Sequence, residues 1–446
     1  MRQVSKVTKT MNHFQDWLQQ ESNSLEESGF SLSSALRGSS LKALQTMAFP
    51  TRKDEEWRYT PVKHVLNHQP MLNSATPIEE TFIESLTKAV PDAHLIVFSD
   101  GKFQSELSDN FSKFEGTQLS IKRFSGLEAS AYQRAARIIE HSKLTDDNIF
   151  QHITRGLSQD GLFIEVEKNA EIDTPLHIVF LSSGAESVTK PLNVVHLGPN
   201  SRLSVVQHFV SIGFEEAVTV PADYIQVDEG AGLDLYKLGL ESNGTSHISN
   251  TAVQVASSAS ITAHQYLLGS KLTRSNFELV FSGEGASATL RGAYLGNKSQ
   301  HLDVRTYLDH AQPHCDSDQH FRGIMDDESR GVFNGMVLVR EHAQQTNAQQ
   351  SNKNLLLSRD ARVDTKPQLE IFADDVQCAH GATIGELDEN ALFYLQSRGI
   401  SKDDAAQMLT QSFAAEITQS IPIDSLRKYV QGKIDDKLTG TKSSDA

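Results

Sequence analysis

Cysteine is scarce in this chain: Cys315 and Cys378 are the only two in 446 residues. Two thiols give no disulfide framework. A structural bridge between them is the less favoured reading, so the chain reads as a protein of a reducing, cytoplasmic compartment. Long apolar runs are missing as well. No stretch approaches the roughly 20 residues that a membrane helix needs, and the basic segment 1–12, MRQVSKVTKTMN, has no apolar core of the secretory kind. Positive charge is in deficit, with 41 Lys and Arg against 57 Asp and Glu and a formal net charge of -16. That balance argues against nucleic acid as a partner, because phosphate binding needs a basic surface.

Nucleotide signatures are absent too. Gly292-Ala293-Tyr294-Leu295-Gly296-Asn297-Lys298-Ser299 is a near miss for a phosphate loop, with the wrong spacing and an Asn before the Lys. Neither Gly230-Ala231-Gly232 nor Gly283-Glu284-Gly285 completes a dinucleotide fingerprint. There is no nucleophile elbow and no HExxH. These absences argue against nucleotide chemistry by this chain alone.

What is present describes a folded protein: 22% charged and 38% hydrophobic residues in a chain long enough for two or three domains. We expect an N-terminal helical and mixed region over 1–150, a strand-rich core over 151–387 and a C-terminal helical region over 388–446. In the first, Phe14, Trp17, Leu18, Leu36, Leu41, Leu44 and Met47 recur at helical spacing. Asp54-Glu55-Glu56-Trp57-Arg58-Tyr59-Thr60 reads as a surface turn pinned by aromatic burial. Leu95 to Phe98 reads as a strand closed by an Asp100-Gly101 hairpin turn. From Gly161 strands dominate. Candidates run over 162–166, 176–181, 192–197, 203–209 and 233–240. Others begin near His247, Ser260, Arg274, Ala288, His301, Asp316 and Gly331. Members of the last set lie about 14 residues apart, with polar corners such as Ser257-Ser258, Gly269-Ser270 and Asp326-Asp327. Uninterrupted repetition of short strands favours a β-helix (solenoid) over a sandwich or barrel, because each coil buries its inner face only against its neighbours. The fold class expected is mainly β. After Leu387 the pattern turns helical: Ser401 caps a stripe of Ala405, Met408, Leu409, Phe413 and Ile417, and Ile423 to Leu438 makes a last helix. That pair reads either as a cap beyond the solenoid's end or as a docking surface. The tail from Thr439 reads as disordered.

Chemistry concentrates late in the chain. Gln368 to Phe372 reads as a strand, Ala373-Asp374-Asp375 as a turn, and Val376 to His380 as a second strand. Alternation then puts Cys378 and His380 on one face. A thiol beside an imidazole is half of a soft metal site. An iron–sulfur cluster takes four ligands, largely thiolate, so another chain would have to complete one. His310, His314, Cys315 and His320 form a second group that could hold a metal, but their spacing matches no strong zinc pattern.

Several stretches carry a resemblance. Ala343-Gln344, Asn352-Lys353-Asn354-Leu355-Leu356-Leu357-Ser358, Lys366-Pro367-Gln368-Leu369-Glu370-Ile371, Cys378-Ala379-His380-Gly381-Ala382-Thr383-Ile384-Gly385 and Ser397-Arg398-Gly399-Ile400 resemble the SufB/SufD family of iron–sulfur cluster assembly proteins. Asp54 to Thr60 is similar to that family's N-terminal signature. The short Cys-x-His-Gly form and the scarcity of cysteine look like the SufD branch. The resemblance implies a right-handed parallel β-helix flanked by helical regions. It implies a non-catalytic scaffold that pairs with SufB and binds the SufC ATPase through the helices of 401–438. It implies a transient iron–sulfur cluster shared with SufB, with His380 as the firmer ligand candidate and Cys378 as the weaker one. It leaves room for a reduced flavin at the level of the complex and implies no ATP bound by this chain. Two rivals stand beside it. One is a β-helix polysaccharide-active enzyme, for which Glu165, Glu167, Asp234 and Arg305 are available. The other is a passive structural solenoid in which Cys378 and His380 are packing residues.

Overall fold

A computed structural model describes residues 13–27, 34–70, 77–142, 148–184, 187–213 and 216–440. The basic segment 1–12, the side chain of Leu36 and the tail from 441 lie outside the described residues. Two sheets dominate, one of ten strands and one of eleven. Strands of the repeat enter them alternately, so the 14-residue spacing is half of one coil. Among the strands from Leu162 onward the pairing with one another is parallel and in register, for example Leu290↔Gln319↔Gln350↔His380 across four successive coils of the first sheet. This is a parallel β-solenoid, as the periodicity and the resemblance led us to expect.

The corners explain why the register does not slip. Asn169, Asn200, Gly230, Ser258, Gly285, His314 and Gln345 all have positive φ, about one coil apart, and Ser270, Lys298 and Asp327 repeat the device at another corner. Small or polar residues tolerate this left-handed geometry best. Stacked corners bond to one another, as Asn200 Nδ2 does to Asn169 Oδ1 at 3.2 Å. The near-miss phosphate loop ends at such a corner, at Lys298.

Inward residues form the main core, from Ile96 and Phe98 through Leu235, Ile261 and Leu290 to Val337. Outward residues are covered as well, which is why many strands read as almost continuous apolar runs. The first helices, His13–Glu27 and Ser34–Thr46, pack with Ile149–Leu157 on the second sheet through Phe14, Leu18, Leu41 and Phe150. The C-terminal helices Lys402–Thr418 and Asp424–Thr439 lie along the outer face of the first sheet, where Ala414, Ile417, Leu426, Val430 and Ile434 meet Tyr236, Tyr266 and Leu295. They are a side covering, so the reading of this pair as a cap across the solenoid's end is corrected. The stripe also rotates: Ala405, Thr410, Ala414 and Ile417 face the protein, whereas Met408 is 48% exposed. Helix Glu389–Ser397, which precedes that pair, buries no residue.

Four strands escaped the periodicity: the short Val188–Thr189 and Ala217–Thr219, and the longer Ala222–Val227 and Thr346–Leu356. The strand expected at 368–372 starts earlier, as Arg362–Ile371. Strands His94–Ser99, Lys102–Phe103 and Leu119–Arg123 also join the two sheets, and the Asp100-Gly101 turn links the first two as an antiparallel hairpin.

Candidate functional site

The last coil carries the site. Arg362–Ile371 ends the second sheet and Val376–Gly385 ends the first, and each is paired along one edge alone among the described residues. Ala373-Asp374-Asp375 is the corner between them, so the two strands lie in opposite sheets. Cys378 sits over Ala348 and His380 over Gln350 in the parallel register. Both therefore belong to the inward-facing row, as strand alternation required. With no further coil above it among the described residues, that row opens to the outside. Cys378 is half-buried against the core, and His380 is exposed. Burial pushes the Cys378 thiol above its ordinary range, with a backbone hydrogen bond from Ala348 opposing the shift. A bound metal would reverse that balance by stabilising the thiolate.

The coil beneath is unusual for a solenoid interior. The inward residues of Thr346–Leu356 are Thr346, Ala348, Gln350, Asn352 and Asn354, all buried, and only Ala348 is apolar. Asn352 donates to Tyr294 Oη at 3.0 Å and accepts from Thr365 Oγ1 at 2.9 Å and from Asn354 Nδ2 at 2.6 Å. Gln350 differs. It is 3% exposed, directly below His380, and neither polar atom of its side-chain amide finds a partner among the described residues. Gly335 makes room for it: a Cβ there would lie 2.3 Å from the Gln350 nitrogen. Leaving a buried amide without a partner costs about 1–3 kcal/mol, and this one lies directly beneath the Cys378/His380 row. Sequence reasoning missed it, although glutamine and asparagine at the alternate positions Gln350, Asn352 and Asn354 were the available signal.

Other candidates resolve into structure. His310 is buried and its Nε2 lies 2.9 Å from Ser317 Oγ; burial brings its pKa down to about 3. His314 is a left-handed corner residue, and Cys315 is buried in the core. His320 faces outward beside Asp318 at 3.0 Å. The four do not converge. No group of three or more His, Cys, Asp or Glu residues is arranged to hold a metal among the described residues, and both cysteines are free thiols. For the enzyme rival, Glu165 lies on the second sheet, paired with Arg134 at 2.7 Å. Asp234 lies on the first sheet, and Arg305 pairs with Glu56. No carboxylate pair arises from them. The turn at Asp54 to Thr60 straps the second sheet. Trp57 is 2% exposed beneath the guanidinium of Arg274, 3.6 Å from its ring centroid, while Thr60 donates to Asp303 at 2.6 Å.

Comparison with known proteins agrees with this anatomy. Residues 180–413 match the family described as "SUF system FeS cluster assembly, SufBD core domain", and residues 8–178 match "SufBD protein N-terminal region". The chain is 33% identical over 406 residues to the iron–sulfur cluster assembly protein SufD of Escherichia coli, covering 90% of this chain and 92% of that protein. It is 28% identical to an iron–sulfur cluster assembly SufBD family protein of Synechocystis, covering 86% of each. It is 24% identical to SufD of Bacillus subtilis, covering 86% of this chain and 89% of the relative.

Proposed function

Because this chain belongs to the SufB/SufD family of the SUF iron–sulfur cluster assembly system, we propose that it is a non-catalytic scaffold that presents part of a cluster-assembly site to a SufB subunit. The observation that carries this reading is the open last coil. Two donors of soft-metal type, His380 and Cys378, stand in one row beside unpaired strand edges. Two donors cannot hold an iron–sulfur cluster. A related chain adding its own strand to those edges would complete both the hydrogen-bond ladder and the ligand set. In this scheme the cluster is cargo. His380 holds it first, as the more accessible group. Cys378 joins once its thiol is deprotonated, and the Gln350 amide orients the imidazole from below.

The SufC ATPase docks on the C-terminal helices of 401–438. Their apolar faces are occupied by the first sheet, so the outward polar faces and the neighbouring helix Glu389–Ser397, with Phe393 72% and Tyr394 57% exposed, supply the contact. No helix among the described residues is long and apolar enough to cross a membrane, and the working compartment we assign is the cytoplasm.

The test is His380→Ala in the chain co-purified with SufB and SufC, followed by anaerobic absorption spectroscopy. We expect an intact complex whose cluster yield drops by more than the roughly 10- to 100-fold that loss of a ligand's hydrogen-bond partner costs a metal site. Full cluster yield from the variant would return the chain to a passive solenoid. Deleting 401–446 should abolish SufC binding, and unchanged binding would remove the docking assignment.

A further inference from the structure

Where the N-terminal strap crosses the second sheet, its acids neutralise some of the basic groups beneath and leave others unmatched. Glu55 pairs with Lys366 at 3.0 Å and Glu56 with Arg305, while Asp303 pairs with Arg274 at 3.0 Å. Arg52 and Arg58 of the strap, and Arg330 and Arg362 of the sheet, have no carboxylate within ion-pairing distance among the described residues. Arg330 and Arg362 are cross-strand neighbours in register, continuing a row that begins at His301. Like charges directly opposite on a sheet destabilise it. The four arginines line one cavity of about 530 Å³ whose wall includes Tyr59 and a single carboxylate, Asp364. Four guanidinium groups less one carboxylate leave a formal +3 there, on a chain whose net charge is -16. The same field is felt next door: burial chiefly, with Arg330, Arg52 and Arg274 adding to it, brings the His301 pKa down to about 4.

We propose that this cavity binds a multiply charged oxyanion of the phosphate class. The arginine fork presents paired N–H donors matched to phosphate oxygens, and a bound dianion removes the repulsion among the four. Tyr59, 41% exposed, adds a flat wall on which the planar ring of an organic phosphate can lie, whereas a bare diphosphate uses the arginines alone. The site is built from the strap, from outward-facing arginines of the second sheet and from apolar residues at the open last coil, Leu356, Val363 and Ile384. None of the four arginines belongs to the inward row of Cys378 and His380, so the proposal does not rest on the cluster reading.

Calorimetric titration of the full chain with inorganic pyrophosphate, and separately with ADP, tests this. Pyrophosphate is expected to bind one to one. Arg330→Gln, Arg362→Gln, Arg52→Gln and Arg58→Gln should each weaken it by about tenfold or more, the loss of one charge-assisted hydrogen bond. Lys353→Gln, at an exposed position on the first sheet, should leave it unchanged. Tighter binding of ADP, lost in Tyr59→Leu, assigns an organic phosphate, and ADP binding no tighter than pyrophosphate assigns the bare oxyanion. Either outcome upholds the site. Absence of pyrophosphate binding at millimolar concentration overturns it, as does binding that all four arginine variants leave intact. Should the sheet variants lower the melting temperature, the two strap variants carry the comparison.

Discussion

The two ends of the solenoid face the same physical problem and meet it in opposite ways. At the N-terminal end the interior is filled by aromatic rings. Phe98 stacks on Phe180 at 5.5 Å between centroids, Phe180 on Phe209 at 4.9 Å, and Phe103 and Phe111 complete the plug. Antiparallel strands then close the edges: Lys102–Phe103 on one sheet and Leu119–Arg123 on the other. At the C-terminal end the interior turns polar through Gln350, Asn352 and Asn354, and both terminal strands stop with a free edge. A repeat array needs a cap at each end because the last coil cannot bury its own inner face. One end carries its cap in the chain. The other has none among the described residues, and there Cys378 and His380 stand.

This contrast can be broken most forcefully at the closed end. Phe98→Ala should cost about 3–5 kcal/mol, the usual penalty for emptying a buried aromatic site, read as a lower denaturation midpoint. A loss below about 1 kcal/mol would mean that the plug does not hold the fold.

Acid should act on the body of the solenoid. Burial holds His177, His264 and His301 at about 4 and His310 at about 3, all below the ordinary histidine value. A depressed folded pKa means that the unfolded chain binds protons first. The stability these groups contribute is therefore complete above about pH 6.5 and is lost as pH falls toward 4. The slope approaches about 1.4 kcal/mol per pH unit for each histidine. Denaturant titrations at pH 7, 6 and 5 measure it, and a flat profile would contradict the burial assigned to them.

At the open end the expected effects on stability are small or reversed. Gln350→Met removes the two unpartnered amide atoms and should stabilise the isolated chain by about 1 kcal/mol, while lowering cluster yield in the assembled complex. A gain of stability with full yield would detach Gln350 from the site. Smallest of all, Phe372→Ser, at a position 63% exposed, should change stability by no more than about 0.5 kcal/mol yet weaken capture of SufB in a pull-down. Unchanged capture would move the interface away from this edge.

Much of this anatomy was legible in the chain. Leu162–Val166 and Leu192–Leu197 came out at their observed bounds, because apolar runs bounded by turn residues have few alternatives. Thr346–Leu356 was not legible. Its inward positions are polar, which defeats the alternation rule, and it is held by parallel pairing to Asp316–Met325 on one side and Val376–Gly385 on the other. The buried knot in which Lys237 Nζ donates to Asp223 at 2.5 Å was invisible for the same reason. Those residues are 14 apart and meet only across the solenoid's interior. The arginine cavity likewise unites positions 52 and 362, which no local pattern links.

From the sequence by itself came the repeating strands, the polar corners, the membership suggested by the Cys378 motif and the placing of Cys378 and His380 on one face. All of these are local, set by side-chain period and by residue type. Only the tertiary structure decided that this face opens at an uncapped coil, that Gln350 lies beneath it, that the C-terminal helices cover a sheet side and that four arginines share one cavity. Each of those depends on which coil stacks on which, and stacking is a property of the whole chain.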